Sequence, residues 1–459
     1  MTAPFSLLND LYADEEMITL FSETSTIGGW LRTEAALARA QAVAGVISTE
    51  AADAIEIACD LDSIDTARLW DEARNVGYPI LPLVRMVAAT LPPVAGGKLH
   101  LGATTQDIMD TGLALQLTGA IARVENLVTE VGDLLAGWVD EHRNTLMAGR
   151  THGQQAVPTT LGAKLAVYLA QFDRHRTRLE EIRPRVGVVS LHGAGGTSAA
   201  YGPTASQVRD RVAEYLDLET TAVPWHSARD GVAEFGFVCA AIAATCVRLA
   251  REVIDLARTE IGEIRESSEV HHGASSTMPQ KANPIWSEAV VGFGATAATA
   301  VSALLRAMEA GHERAAGEWH IEWDSLPRVA VACASALRLT AKVLATMSVD
   351  QEAMVRNLDA DGGLIMAEAL MMRLAPALGR EEAHDIVYEA ARRLRDREEG
   401  VSTLAAEVKD LAPPDASDLI EETIPPGVYL GEVAAICTAA NESWARNVHP
   451  PKLSGDGPR

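Results

Sequence analysis

Long runs of apolar residues at a spacing of three and four dominate this chain. They cover residues 113–139, 161–179, 232–265, 289–310 and 326–347. This spacing places successive apolar side chains on the same face of an α-helix. The pattern predicts five long helices, the second closed by a proline and the third about 50 Å long at 1.5 Å per residue.

These helices are predicted to pack together in a bundle. Their apolar residues occupy more than one face, so neighbouring helices or other subunits must cover them. Apolar residues make up 48% of the chain and aromatic residues only 5%, which suits packed helices better than strands. No internal repeat and no alternation of strands and helices is visible in the sequence. The predicted fold class is therefore all-α.

Proline and glycine breaks divide the chain into parts. Shorter helices, interrupted at 77–79, precede the long ones, and shorter helices, interrupted at 362–363, follow them. We predict an N-terminal helical domain, a central long-helix bundle and a C-terminal helical domain over 1–100, 101–348 and 349–447. Residues 448–459 carry three prolines and two glycines, and we expect them to be a disordered tail.

Charge and cysteine content narrow the possible partners. The 39 basic and 63 acidic residues give a net charge of −24, which argues against a nucleic-acid partner because phosphate binding needs a basic face. A small polyanion can still bind where cations are concentrated in one cleft. The cysteine count is odd, five, and there is no CxxC, so we expect neither a disulfide framework nor a zinc site.

The sequence predicts a cytoplasmic protein without a membrane partner. No basic region followed by an apolar run precedes Asp10, so no signal peptide is visible. The most apolar stretch, 235–247, is too short to span a bilayer and runs into Arg248.

The segment 273–284, GASSTMPQKANP, concentrates chemical groups in a short space. A small, flexible stretch with two serines precedes a turn that holds Lys281 and Asn283 just before a helix from Ile285. An ammonium and an amide beside the free N–H groups of a helix start suit a carboxylate. The serines are candidates for a nucleophile or base under a closing lid. The alternative is an ordinary serine- and glycine-rich loop before a capped helix.

Three segments resemble the signatures of one enzyme superfamily, in the same order. Segment 273–284 is similar to the GSSxMPxKxNP signature of the fumarase/aspartase superfamily, 100–107 (HLGATTQD) to its H-x-G-x-T/S-S-x-D segment, and 149–158 to its GRTHxQxAxP segment. The resemblance covers nearly the whole chain. It implies three helical domains whose central bundle packs into a tetrameric 20-helix core, and an enzyme that needs no cofactor and no metal.

The resemblance also assigns roles. Ser275 is implied to be the base that removes the proton next to a carboxylate, His152 a general acid, and Glu288 the partner that orients His152. Lys281 and Asn283 are implied to bind the substrate carboxylate. Further substrate contacts are expected at Thr104, Thr105, Thr151, Gln154, His100, Ser276, Met278, Arg229 and Arg314. For Arg229 and Arg314 a solvated surface position is the alternative.

The resemblance to one branch of the superfamily is compatible with more than one reaction. Segments 224–230 and 313–323 resemble the branch of 3-carboxy-cis,cis-muconate cycloisomerase and adenylosuccinate lyase, yet Ala282 replaces an arginine that many of these enzymes carry after the lysine. Our first hypothesis is therefore β-elimination from a substituted succinate through an aci-carboxylate carbanion, releasing fumarate and a small group such as nitrite or an amine. The second hypothesis is 3-carboxy-cis,cis-muconate cycloisomerisation, and the third a non-catalytic structural relative.

The expected partners follow from these hypotheses. We expect a small di- or tricarboxylate as the substrate and a homotetramer in which each active site collects residues from three subunits.

Overall fold

The computed structural model describes residues 5–267, 269–396, 403–421 and 424–448, and its fold is all-α. Six helices precede the long ones: α1 Leu7–Tyr12, α2 Glu15–Leu20, α3 Glu23–Val43, α4 Thr49–Ala58, α5 Thr66–Val76 and α6 Ile80–Thr90. The middle of the chain contains α7 Thr105–Glu141, α8 Leu161–Val186, α9 Ala205–Leu216, α10 Asp230–Leu256, α11 Ile285–Ala307 and α12 Glu318–Thr346. The remaining helices are α13 Gln351–Asp359, α14 Ala367–Leu378, α15 Arg380–Arg395, α16 Leu404–Leu411, α17 Pro414–Ser417 and α18 Val433–Val448.

All five predicted long helices are confirmed, with changes at their ends. Helix α8 continues two residues beyond Pro184, and α12 begins eight residues before the predicted start at Leu326. Helix α10 ends at Leu256, so its predicted continuation to residue 265 is wrong. Gly262 turns the chain there with a left-handed backbone (φ +63°), and the next residues pair as a strand.

Two short antiparallel sheets were not predicted from the sequence. Strands β1 Leu146–Thr151 and β2 Gln154–Thr160 form a hairpin, and β3 Ile264–Arg265 pairs with β4 Ser348–Val349. These strands are short and interrupt helical sequence, so their periodicity carries little signal.

The chain divides into two compact units, each made of three separate stretches. Unit 1 comprises Met1–Val128, His175–Val247 and Ala289–Leu339, and unit 2 comprises Thr129–Arg174, Arg248–Glu288 and Thr340–Arg459. The three-domain division stays a prediction. The predicted tail lies, from residue 449 onward, outside the described residues.

Helices α10, α11 and α12 are long and apolar enough to cross a membrane, judged by length and composition alone. The stretch 235–247, which by itself is too short to span a bilayer, lies within α10. The buried share of the most apolar 18-residue stretch is 61% in α10 and 72% in α12, against 33% in α11. Helix α11 is therefore the least buried of these three helices.

The buried carboxylate of Asp107, on α7, organises the interior of unit 1. It accepts hydrogen bonds from the backbone N–H groups of His192 and Gly193, both at 3.0 Å, and from the hydroxyl of Tyr201 at 3.3 Å. The Nε2 atom of His226 lies 2.8 Å from Asp107 Oδ1. Burial and the charge of Asp107 raise the pKa of Tyr201, so its hydroxyl stays a donor.

A second buried cluster in unit 1 is an ion triad. All three guanidinium nitrogens of Arg229 donate to the carboxylates of Asp110 and Glu322 at 2.5 to 3.1 Å, and each of these side chains is at most 2% exposed. Burial lowers the pKa of Arg229, but the two carboxylates outweigh this effect and raise it. The arginine therefore stays charged and neutralises one of two buried acids.

We predict that Arg229→Met destabilises the protein by about 3 to 5 kcal/mol, because it leaves two buried carboxylates without their cation. Urea unfolding followed by circular dichroism measures this loss. The control is Arg185→Met, which removes an arginine paired with Glu234 at the surface. Equal shifts of the unfolding midpoint in the two variants would contradict the structural role of the triad.

Candidate active site

Residues 273–283, in unit 2, form a loop that is closed at its neck. Gly273 has a left-handed backbone (φ +60°), and its carbonyl oxygen accepts the backbone N–H of Asn283 at 2.9 Å and the side-chain amide of Asn283 at 2.8 Å. Ala274 and Ala282 form an antiparallel bridge beside this contact. A Cβ at residue 273 would lie 2.0 Å from the Asn283 carbonyl oxygen, so the closed neck requires glycine.

Ser275 lies inside this loop with its hydroxyl oxygen bound by two backbone donors. Its Oγ accepts the N–H groups of Thr277 at 3.2 Å and Met278 at 3.0 Å, and the side chain is half-buried. Donors aimed at an oxygen stabilise negative charge on it. The neighbouring Ser276 and the side chain of Met278 are exposed.

The end of the loop borders a cleft of about 1160 Å³ within unit 2. Lys281, Asn283 and Glu288 line this cleft, and Arg258 and Arg265 add two further cations. The structure thus brings together the two predicted carboxylate ligands and the glutamate assigned to orient His152. In this conformation Asn283 uses its amide to close the loop, so of the two predicted carboxylate ligands only Lys281 has a side chain without a hydrogen-bond partner among the described residues.

Glu266 fixes both ends of the loop, and the sequence analysis did not single it out. Its buried carboxylate accepts the backbone N–H groups of Trp286 and Ser287 at 3.1 and 2.7 Å and the Ser287 hydroxyl at 2.6 Å. It therefore caps the start of α11, where N–H groups lack partners within the helix. The same carboxylate lies 2.7 Å from Nε2 of His272, just before the loop.

His152 is at the tip of the β1–β2 hairpin. His152 and Gly153 both have left-handed backbones, with φ of +52° and +74°, as a two-residue type I′ turn requires. Thr151 and Gln154 are the paired residues on either side of the turn, and all four residues are exposed. The hairpin therefore displays three predicted site residues together.

A buried carboxylate also anchors this hairpin. Arg150 donates to both oxygens of Glu263 at 2.9 and 2.5 Å, and Asn357 donates to Glu263 Oε1 at 2.7 Å. Glu263 is fully buried, so the arginine is held in one orientation. The bidentate contact fixes the strand that leads directly to His152.

The second predicted segment lies in unit 1. The backbone N–H of Thr104 donates to Asp107 at 3.1 Å, and the Thr104 hydroxyl accepts a hydrogen bond from Arg314 at 3.2 Å. Arg314 also donates to the carbonyl oxygen of Ala194 at 3.4 Å, and Thr105 is the first residue of α7. The structure therefore places a hydroxyl and a guanidinium side by side, a combination that suits a carboxylate.

Arg229 and His100 were also predicted to contact the substrate, and each is paired with a carboxylate of the protein. Arg229 is enclosed in its triad with Asp110 and Glu322, so the structure places it in the interior and not in either expected position, a substrate contact or the solvated surface. His100 is partly exposed, and its Nδ1 lies 2.6 Å from Oε1 of the buried Glu34.

The predicted pair of His152 and Glu288 is not formed within one chain. Neither side chain has a hydrogen-bond partner among the described residues of its unit, so this pair stays a prediction. Sequence reasoning missed Glu34, Glu263 and Glu266. Their contacts join residues 66, 113 and 20 positions apart, and no local pattern reports such a contact.

Comparison with known proteins places this chain in a family. A lyase family profile matches residues 12–298, and the profile of the adenylosuccinate lyase C-terminus matches residues 363–440. The chain is 38% identical to the 3-carboxy-cis,cis-muconate cycloisomerase of Pseudomonas aeruginosa, over 91% of this chain and 92% of that protein. It is 34% identical to the N-acetyl-S-(2-succino)cysteine lyase of Enterococcus italicus, over 95% and 96% of the two chains.

A solved structure agrees with these relatives. The crystal structure of the 3-carboxy-cis,cis-muconate lactonizing enzyme of Pseudomonas putida matches with a TM-score of 0.85 at 35% identity, over 96% of this chain and 99% of that one.

We predict that Gly273→Ala opens the neck of the loop while the protein stays folded. The added Cβ cannot fit beside Asn283, so the Asn283 amide loses its acceptor and hydrogen exchange in peptides covering 274–283 becomes about tenfold faster. Exchange followed by mass spectrometry measures this change. The control is Gly363→Ala, which has a similar left-handed backbone (φ +88°) but open space around the position. Unchanged exchange in Gly273→Ala would contradict the closed neck.

Proposed function

Since the chain is an enzyme that belongs to the lyase family of the fumarase/aspartase superfamily, we propose that it catalyses the cycloisomerisation of 3-carboxy-cis,cis-muconate. The observation that carries the chemistry is Ser275, whose oxygen is held by two backbone N–H groups on a closed loop. An oxygen held in this way can act as a base toward a carbon acid, because negative charge on it is already stabilised.

The roles of the other residues follow from their positions. Lys281 in the cleft binds the carboxylate next to the reacting carbon and stabilises the aci-carboxylate dianion. In the forward direction a carboxylate oxygen of the substrate adds to a double bond, one C–O bond forms, and the carbanion takes up one proton. Ser275 gives this proton in the forward direction and removes it in the reverse direction. No fragment leaves, so the product is a lactone.

Relatives support this reaction better than the small-group elimination that was our first hypothesis. Proteins named as this cycloisomerase match at 38% and 35% identity over most of the chain. Elimination from a larger substituted succinate remains the second candidate. The N-acetyl-S-(2-succino)cysteine lyase relative and the missing cation at Ala282 favour it.

We further propose that the enzyme is a cytoplasmic homotetramer with a 20-helix core, in which three subunits contribute to each site. The low burial of α11, the least buried of the three long apolar helices, supports an assembly, because an apolar helix of this length packs against a partner. His152 and Glu288 are both exposed and their side chains have no hydrogen-bond partner among the described residues, so they are available to pair across subunits.

We predict that Ser275→Ala lowers kcat about 100- to 10,000-fold without unfolding the protein, because it removes the base. Absorbance and chromatography of reactions with 3-carboxy-cis,cis-muconate and with S-(2-succino)cysteine distinguish a lactone from fumarate. Ser276→Ala, on the exposed neighbour, should lose far less activity. Fumarate without lactone would select the second candidate, and no turnover of either compound would favour a non-catalytic relative.

We predict that His152→Ala and Ser275→Ala each lose activity, because the resemblance implies that both residues act on the substrate. We further expect a mixture of the two proteins to regain activity after dissociation and reassembly. If different subunits supply these residues, some sites in mixed tetramers receive both intact. Light scattering should give four times the mass of one chain. A monomer, or no recovery in assembled mixtures, would contradict the shared site.

A further inference from the structure

One ring nitrogen of His100 contacts a buried carboxylate, and the other has no hydrogen-bond partner among the described residues. Oε1 of Glu34, on α3, lies 2.6 Å from Nδ1 of His100, and Glu34 is 3% exposed against 20% for the histidine side chain. His100 adopts a left-handed backbone (φ +60°), which a side chain tolerates only where surrounding contacts impose it. Its Nε2 makes no hydrogen bond with any residue that the structure describes.

The buried carboxylate of Glu34 needs a cation beside it to be stable. A buried carboxylate is costly unless it is paired, and within the described part of the chain His100 is the one basic side chain that contacts Glu34. The second carboxylate oxygen, Oε2, is buried and has no partner there. The pair is therefore best balanced when the ring carries a positive charge.

The charged groups acting on the ring agree with this geometry. They are Glu34 from α3 and Asp107 from α7, and both are acidic. Burial lowers the pKa of His100, but the hydrogen bond and charge of Glu34, with the charge of Asp107, outweigh it and raise the pKa above 6.5. His100 thus keeps its proton to a higher pH than an ordinary histidine.

We propose that Glu34 is a positioning residue that holds His100 as an imidazolium whose free Nε2–H binds a carboxylate of the substrate. The inference rests on the proposed function, since it needs a polycarboxylate substrate. In a chain of net charge −24 that lacks an arginine at residue 282, such a cation replaces part of the positive charge that a third carboxylate requires. Glu34 itself does not touch the substrate.

The first experiment measures the protonation of His100 without using activity. Diethyl pyrocarbonate reacts with a histidine ring only when the ring is neutral. The rate of His100 modification as a function of pH, followed by peptide mass spectrometry, therefore reports the pKa of His100. In the intact enzyme the midpoint should lie above 6.5, and in Glu34→Gln it should fall by about one pH unit or more. Equal midpoints would overturn the proposal.

The matched control separates charge from loosening of the loop. Gln41, also on α3 and buried, donates to the carbonyl oxygen of Leu101 at 2.6 Å, next to His100. Gln41→Met removes this anchor without changing charge, so it should leave the His100 midpoint in place. Glu34→Asp keeps the carboxylate and should restore part of the shift. A shift in Gln41→Met equal to that in Glu34→Gln would assign the effect to loosening.

The second experiment tests the carboxylate contact. Tricarballylate, a simple tricarboxylate, should slow modification of His100 at least about fivefold below the midpoint in the intact enzyme and much less in Glu34→Gln. In kinetics with 3-carboxy-cis,cis-muconate, the loss of kcat/KM at high pH should move to lower pH in Glu34→Gln, because the imidazolium is lost earlier. No protection by tricarballylate overturns the contact, whereas protection without turnover overturns only the proposed reaction.

Discussion

The carboxylate of Asp107 is the contact on which the interior of unit 1 depends. It lies on α7, the longest helix, and it accepts donors from chain segments about 85 and 94 residues away as well as from Thr104 beside it. A fully buried carboxylate is stable only when donors satisfy its oxygens. The same requirement therefore fixes the backbone of the Thr104 segment and the turn at His192 and Gly193.

In unit 2, two further buried carboxylates also bind donors from distant segments of the chain. Glu266 joins the start of α11 to His272, and so defines where the Ser275 loop begins and ends. Glu263 holds Arg150, and so defines the strand that carries His152. The groups proposed to act on the substrate are exposed or half-buried, whereas the acids that place them are buried. This division lets the site residues remain accessible while their backbones are rigid.

The local charges around the predicted site residues differ from the net charge of the chain. The chain carries a large negative charge, and its cleft in unit 2 is lined by the cations Lys281, Arg258 and Arg265 as well as by four acidic residues, Glu266, Glu288, Asp350 and Glu352. In unit 1, Arg314 contacts Thr104, and His100 belongs to the same predicted segment. Under the proposed function, these local cations and not the molecule as a whole attract a carboxylate substrate. Ala282 reduces that local charge by one, which is why the number of substrate carboxylates is the sensitive question for this enzyme.

The sequence by itself determined the helical architecture and the chemistry-bearing segments. The spacing of the apolar residues predicted the five long helices, because it places apolar side chains on faces that must be covered. The three motifs singled out the segments that contain Ser275, Lys281 and His152 as candidates for the site. The end of α10 and the hairpin were not predictable, because a glycine turn and short strand pairs leave no periodic signal.

Only the tertiary structure decided how those residues are used. The amide of Asn283 binds at the neck of the loop, Arg229 is enclosed between two acids, and the buried Glu34, Glu263 and Glu266 contact the segments that carry predicted site residues. Such contacts join residues far apart in the chain, and their strength comes from burial, which depends on the whole fold and not on local sequence.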